Sequence, residues 1–119
     1  MEEIKTFEGI YKKQIEFQKK INELHPYEFP VQNIPEDNVH ICSQQIQHLI
    51  SEVGEVLSAD KRWKNFRNEK VDMENKHEEI ADCFIVLMNI AIYSGMSAKD
   101  LETTICNKID ENFKRFEKN

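Results

Sequence analysis

Apolar residues recur at steps of three and four along most of the chain, and the residues that break such a pattern are confined to a few places, so helices are nearly the only regular structure open to it. Ile4, Phe7, Ile10, Tyr11, Ile15, Phe17, Ile21 and Leu24 predict a first amphipathic helix. Pro26, Pro30 and Pro35, all the prolines of the chain, then fall close together and predict an extended connection that carries Tyr27 and Phe29. A second helix is expected from an N-cap at Asp37 or Asn38, through Ile46, Leu49, Ile50, Val53, Val56 and Leu57, to about Asp60. Residues 61–76 carry six Lys or Arg against three acids with no sustained apolar period, and read as a positively charged loop or irregular helical extension. From His77 to about Ser94 the chain is apolar nearly all round, as for a helix buried on every side or shared with another subunit, and Gly95 supplies its stop. Ser97 and Asp100 resemble a capping box with Asp in place of Glu, and Leu101, Ile105, Ile109, Phe113 and Phe116 give a fourth helix. With 119 residues and only three Gly, the chain is expected to be one all-α domain, a four-helix protomer, too poor in turn residues for a β-sandwich.

Twenty-two acidic residues against sixteen basic ones leave a net charge of −6, the wrong sign for a non-specific duplex-binding surface or for anionic lipid, so a phosphate substrate would need a cation to help bind it. Cys42, Cys83 and Cys106 are odd in number, widely spaced and set in apolar helical stretches, which favours small core hydrophobes over a disulfide framework, a zinc site or nucleophiles. The start Met1-Glu2-Glu3-Ile4-Lys5 lacks the basic opening and apolar run of a secretory signal, and the longest apolar run, from Ile80 to Tyr93, is interrupted by Asp82 and Asn89; a cytoplasmic location is expected.

The chemistry lies in polar residues that interrupt these helices. Glu52 and Glu55 on the second helix, and Glu79 and Asp82 on the third, are i,i+3 pairs whose members share a face. Four carboxylates gathered from neighbouring helices would call for a divalent cation such as Mg²⁺, Mn²⁺ or Ca²⁺, whereas an isolated E-x-x-E pair in so acidic a chain is solvated surface. Asp82 and Asn89 lie within roughly 20° of each other on an otherwise apolar helix, a polar stripe that needs a metal, water, a cation or a hydrogen-bond network as partner. On the fourth helix Lys108 and Asn112 project within roughly 20° of Leu101, either facing a phosphate chain or, for the lysine, snorkelling along the core edge. The segment Lys61-Arg62-Trp63-Lys64-Asn65-Phe66-Arg67, directly after the first carboxylate pair, either cradles phosphates and stacks a base or forms a solvated basic loop in which Trp63 caps the core.

The order Glu52-Val53-Gly54-Glu55, then Glu79-Ile80-Ala81-Asp82, then Lys108-Ile109-Asp110-Glu111-Asn112-Phe113-Lys114-Arg115-Phe116 resembles the MazG-type all-α nucleoside triphosphate pyrophosphohydrolases, which include the dimeric dUTPases and dCTP pyrophosphatases. The resemblance covers residues 40–116. It implies catalytic helices over 37–118 after an N-terminal helix and connection over 1–36, and hydrolysis of a (deoxy)nucleoside triphosphate to monophosphate and pyrophosphate in a pool-cleaning role. It further implies Mg²⁺, with Mn²⁺ as a substitute, on Glu52, Glu55, Glu79 and Asp82, and water activated by Glu52 or Glu55. Trp63, Lys64, Lys108 and Asn112 would bind substrate, and the protein would form a homodimer or homotetramer; Asn89, from the polar stripe of the third helix, is expected to bind substrate as well. The chain departs from several members in having Ser51 before Glu52 and Val86 four residues after Asp82, where they carry an acid and a Tyr. Two other classes compete. A di-iron carboxylate bundle needs two Glu-x-x-His elements and finds one, Glu74 to His77, in what reads as the polar linker. A non-catalytic helical oligomerisation module predicts no inward-facing acids.

Overall fold

The computed structural model describes residues 6–25, 38–63 and 70–117, and the elements below refer to these. They are four helices, α1 (Phe7–Leu24), α2 (Val39–Ala59), α3 (Met73–Ile92) and α4 (Ala98–Glu117), with one 3₁₀ turn at Lys61–Trp63. This is the all-α, four-helix architecture that the apolar period predicts. The proline connection, with Tyr27 and Phe29, and Lys64 lie outside the described residues.

Each helix starts where a short polar side chain can take up a free amide. Thr6 accepts from Gly9 N, Asn38 from Ile41 N, and Asp72 from Asn75 N. Ser97 Oγ accepts from Asp100 N at 3.1 Å while Asp100 Oδ2 accepts from Ser97 N at 3.1 Å, a reciprocal box made with Asp. Gly95, at φ 80°, makes the turn between α3 and α4, a conformation that costs other residues a Cβ clash. The Asp72 cap corrects the expected boundary of the third helix: it begins at Met73, not His77, so Glu74 and His77 are helical rather than part of a polar linker. Residues 73–76 have no apolar period because their first turn looks largely to solvent.

α3 packs mainly along α2, with α1 against α3 and α4 against α1. The core joins Tyr11, Ala91 and Ile92 to Phe7, Ile15, Met88, Met96, Ala98 and Leu101, and Tyr11 Oη donates to Met96 O at 2.7 Å. Burial raises the Tyr11 phenol to about 12, with the Asp100 charge adding to it, so this hydroxyl remains a donor. Ile41, Tyr93 and Cys42 form a second cluster. The three cysteines are free; Cys42 and Cys83 are half-buried, but Cys106 is exposed and is not the core residue its apolar neighbours suggest.

α3 is not buried all round. Within the protomer Ile80, Phe84 and Leu87 are exposed, Phe84 by 64%. On α2 Val39, Ile46, Ile50, Val53 and Leu57 are exposed as well. These steps of seven, four, three and four are those of a coiled-coil seam. At 100° per residue, the α2 seam points roughly 140° away from the flank carrying Gln45, His48 and Glu52, and the α3 seam points roughly opposite to Asp82 and Asn89. The α2–α3 pair therefore has one face toward α1 and one apolar face that no other described residue covers. α4 has a similar bare stripe, since every described residue of it beyond Leu101 is exposed, including Ile105, Ile109, Phe113 and Phe116.

Candidate active site

α2 and α3 bring carboxylates from both acidic pairs together. Glu52, Glu79 and Asp82 each offer an oxygen within 4.8 Å of the others; the two glutamates are half-buried and Asp82 is exposed. Glu55 is exposed and stands outside this group, although its charge is felt there. The Glu79 carboxyl is raised above its ordinary value, first by loss of solvent and then by Asp82, Glu55, Glu52 and Glu78, all of the same sign. Burial and the charges of Glu52, Asp82 and Glu79 also push the neighbouring Cys83 thiol up, away from the reactive thiolate. Three oxygen donors that repel one another, at the spacing of a hard-cation shell, suit a divalent cation that prefers carboxylate oxygen.

Glu52 and Asp82 line a cavity of about 340 Å³ between α1, α2 and α3. Phe17, Ile21, Ile85 and Val86 form its apolar walls, and Gln14, Gln18, Gln45, His48, Glu52, Asp82 and Asn89 supply its polar groups. The polar stripe on α3 is met by two amides. Asn89, 4% exposed, donates from Nδ2 to Gln45 Oε1 at 3.1 Å and accepts at Oδ1 from Gln14 Nε2 at 2.8 Å. Tyr93 Oη donates to Gln18 Oε1 at 2.9 Å behind it. Asn89 thus has the hydrogen-bond network that the sequence left open as one alternative, and this network lines the pocket beside the carboxylates.

A family described as dUTPase matches residues 6–119. The chain belongs to the dUTPase family. It is therefore an enzyme, a hydrolase of the all-α nucleoside triphosphate pyrophosphohydrolase group that its carboxylate motifs resemble, and the match takes in α1, which those motifs do not. No curated protein and no solved structure matches the chain. No helix among the described residues is long and apolar enough to cross a membrane.

The remaining residues singled out in the dUTPase-type motifs are placed elsewhere. Lys108, on the uncovered length of α4, pairs with Glu111 at 3.0 Å, and Asn112 lies with Ile109, Phe113 and Phe116 on an apolar patch. Neither lines the carboxylate pocket, and neither faces a core, because no described element packs along this stripe of α4. Trp63 donates from Nε1 to Leu57 O at 2.8 Å, closing the end of α2. With Val53, Val56, Leu57, Asp60, Arg62 and Lys76 it lines a second, apolar cavity of about 510 Å³. Asp60 ties this corner together: it accepts from Arg62 Nη2 and from Lys76 Nζ, both at 2.7 Å, and these bonds hold its carboxyl well below the usual range. Gln14, Gln18, Gln45 and His48 were not singled out from the sequence. The amides had the same signal as Asn89, since Gln18 falls in the stripe of Phe7 and Tyr11 and Gln45 in that of Ile41 and Leu49.

Proposed function

We propose that the protein hydrolyses dUTP to dUMP and pyrophosphate, with Mg²⁺, or Mn²⁺ in its place, held by Glu52, Glu79 and Asp82. The observation that carries this reading is that carboxylates from two helices gather at the edge of a pocket whose interior offers amides between apolar walls. A flat ring with both donors and acceptors, as uracil has, suits such a pocket: Phe17 and Ile85 cover its faces while Gln14, Gln45 and Asn89 read its edge. A cation on the three carboxylates neutralises phosphate charge and polarises the anhydride. Glu55, beside that group without being part of it, takes the proton from the attacking water. Glu52 is the alternative base, but its place in the cluster commits it to the cation.

The bare α2 and α3 seams support a homodimer or a larger homo-oligomer in which a second copy covers them. Lys108 and Asn112, on the bare stripe of α4, act on the nucleotide within that assembly, and Trp63 with Lys64 borders the substrate. The chain is read as one cytoplasmic domain that cleans the nucleotide pool. The test is pyrophosphate release from each canonical deoxynucleoside triphosphate and from UTP, with Mg²⁺ and with EDTA. Metal-dependent turnover of dUTP ahead of dCTP, dTTP and UTP supports the reading; no turnover of any nucleotide, or turnover undiminished by EDTA, overturns it.

A further inference from the structure

His48 stands one turn before Glu52 on α2, and its Nε2 lies 2.9 Å from Glu52 Oε1. An ionised carboxylate offers only acceptors, so in this pair Nε2 carries the hydrogen and the imidazole donates. An ordinary i,i+4 pair lies in solvent and does little. Here the acceptor differs from the donor in its surroundings: the Glu52 side chain is 19% exposed, His48 is 51% exposed, and both line the pocket that holds Asp82 and Asn89. Glu52 is also surrounded by carboxylates of its own sign, which push it to turn its charged end away toward water.

We propose that His48 is a positioning residue for Glu52. By holding one oxygen of that carboxylate it keeps the side chain turned into the cluster, leaving the other oxygen to a divalent cation with Glu79 and Asp82. Outer groups that orient a metal-binding carboxylate in this way change metal affinity by about 10- to 100-fold when removed. The inference rests on the metal site proposed above and adds a residue that touches neither the cation nor the reacting atoms.

The experiment measures Mn²⁺ alone, by electron paramagnetic resonance titration, binding to the full chain as wild type, His48→Ala and His48→Gln, with metal-free thermal unfolding of each. Glutamine places an amide nitrogen as many bonds from Cβ as His Nε2, and so restores the donor. Expected is a loss of about tenfold or more in Mn²⁺ affinity in His48→Ala with an unchanged metal-free melting temperature, recovered in His48→Gln. In turnover, the Mg²⁺ concentration needed for half-activity should rise in His48→Ala and return toward the wild-type value in His48→Gln. Equal Mn²⁺ affinity in wild type and His48→Ala overturns the role of His48 and leaves the proposed function standing. Weakened binding that His48→Gln does not recover also overturns it, because the effect then belongs to the ring's bulk. A wild-type chain that binds no Mn²⁺ overturns both readings together.

Discussion

Replacing Asn89 by Leu keeps the branched shape and the number of side-chain heavy atoms, at some gain in bulk, and deletes both polar atoms of the amide, which makes it a sharp probe of the pocket interior. Two hydrogen bonds are lost, the donor to Gln45 Oε1 and the acceptor for Gln14 Nε2. Gln45 is 8% exposed, and leaving a buried acceptor without a donor costs about 1–3 kcal/mol. Gln14 is half-buried at an open pocket and can turn to water, so its loss costs little, and the leucine recovers part of the total through apolar burial. A net destabilisation of about 1–2 kcal/mol follows, a fall of roughly 3–12 °C in Tm for a chain of this length. Asn89→Asp should be worse, since it puts a charge at a buried position on the stripe that already carries Asp82. If Asn89 also reads the base, Asn89→Leu should narrow the ratio of kcat/KM between dUTP and dCTP. Thermal and urea unfolding without metal, followed by kinetics on both nucleotides, separates the two roles. A Tm within a degree of wild type would refute the hydrogen-bond argument, and an unchanged dUTP-to-dCTP ratio would remove Asn89 from base selection.

Three further outcomes are expected. Phe84→Glu, or Ile50→Lys, places a charge on the bare α2–α3 face and should yield monomer in sedimentation velocity where wild type is oligomeric; a wild-type monomer at micromolar concentration would contradict the seam argument. Lys108→Met should lower kcat/KM by roughly 10²-fold, equivalent to about 2.7 kcal/mol of transition-state stabilisation, with little change in Tm, and normal kinetics would return Lys108 to an exposed partner of Glu111. Because Arg62 and Lys76 hold Asp60 below its ordinary value, its contribution to stability is present above pH of about 4 and is lost as pH falls below that. Asp60→Asn should therefore flatten the acid limb of the stability profile, and acid limbs that superimpose would show that Asp60 does not link the α2 end to Lys76 on α3.

The helices were legible because their signals are local. Asn38, Gly95 and the Ser97–Asp100 box each act within one turn, and the expected caps are the observed ones. Asp72 escaped notice because the residues it caps carry no apolar period. The carboxylates were legible as pairs on helix faces, and the fold adds what spacing cannot contain, which is that Glu52, Glu79 and Asp82 converge while Glu55 stands apart. Asn89 could be recognised as misplaced in an apolar helix; its partners could not, because Gln14 and Gln45 are 75 and 44 residues away along the chain. Lys108 and Asn112 marked a polar break in an apolar stripe, but a period alone does not say whether that stripe meets its own chain or another.

The claim on which the rest depends is that Glu52, Glu79 and Asp82 form one cation site that the reaction needs. It is tested most directly by titrating Mn²⁺ into wild type and Asp82→Asn by electron paramagnetic resonance, with dUTP hydrolysis followed in the same samples. The account predicts that the substitution, which keeps volume and removes one carboxylate, weakens binding at least tenfold, abolishes turnover and leaves the helical circular dichroism intact. Undiminished Mn²⁺ binding in Asp82→Asn, or dUTP turnover at the wild-type rate, would contradict it.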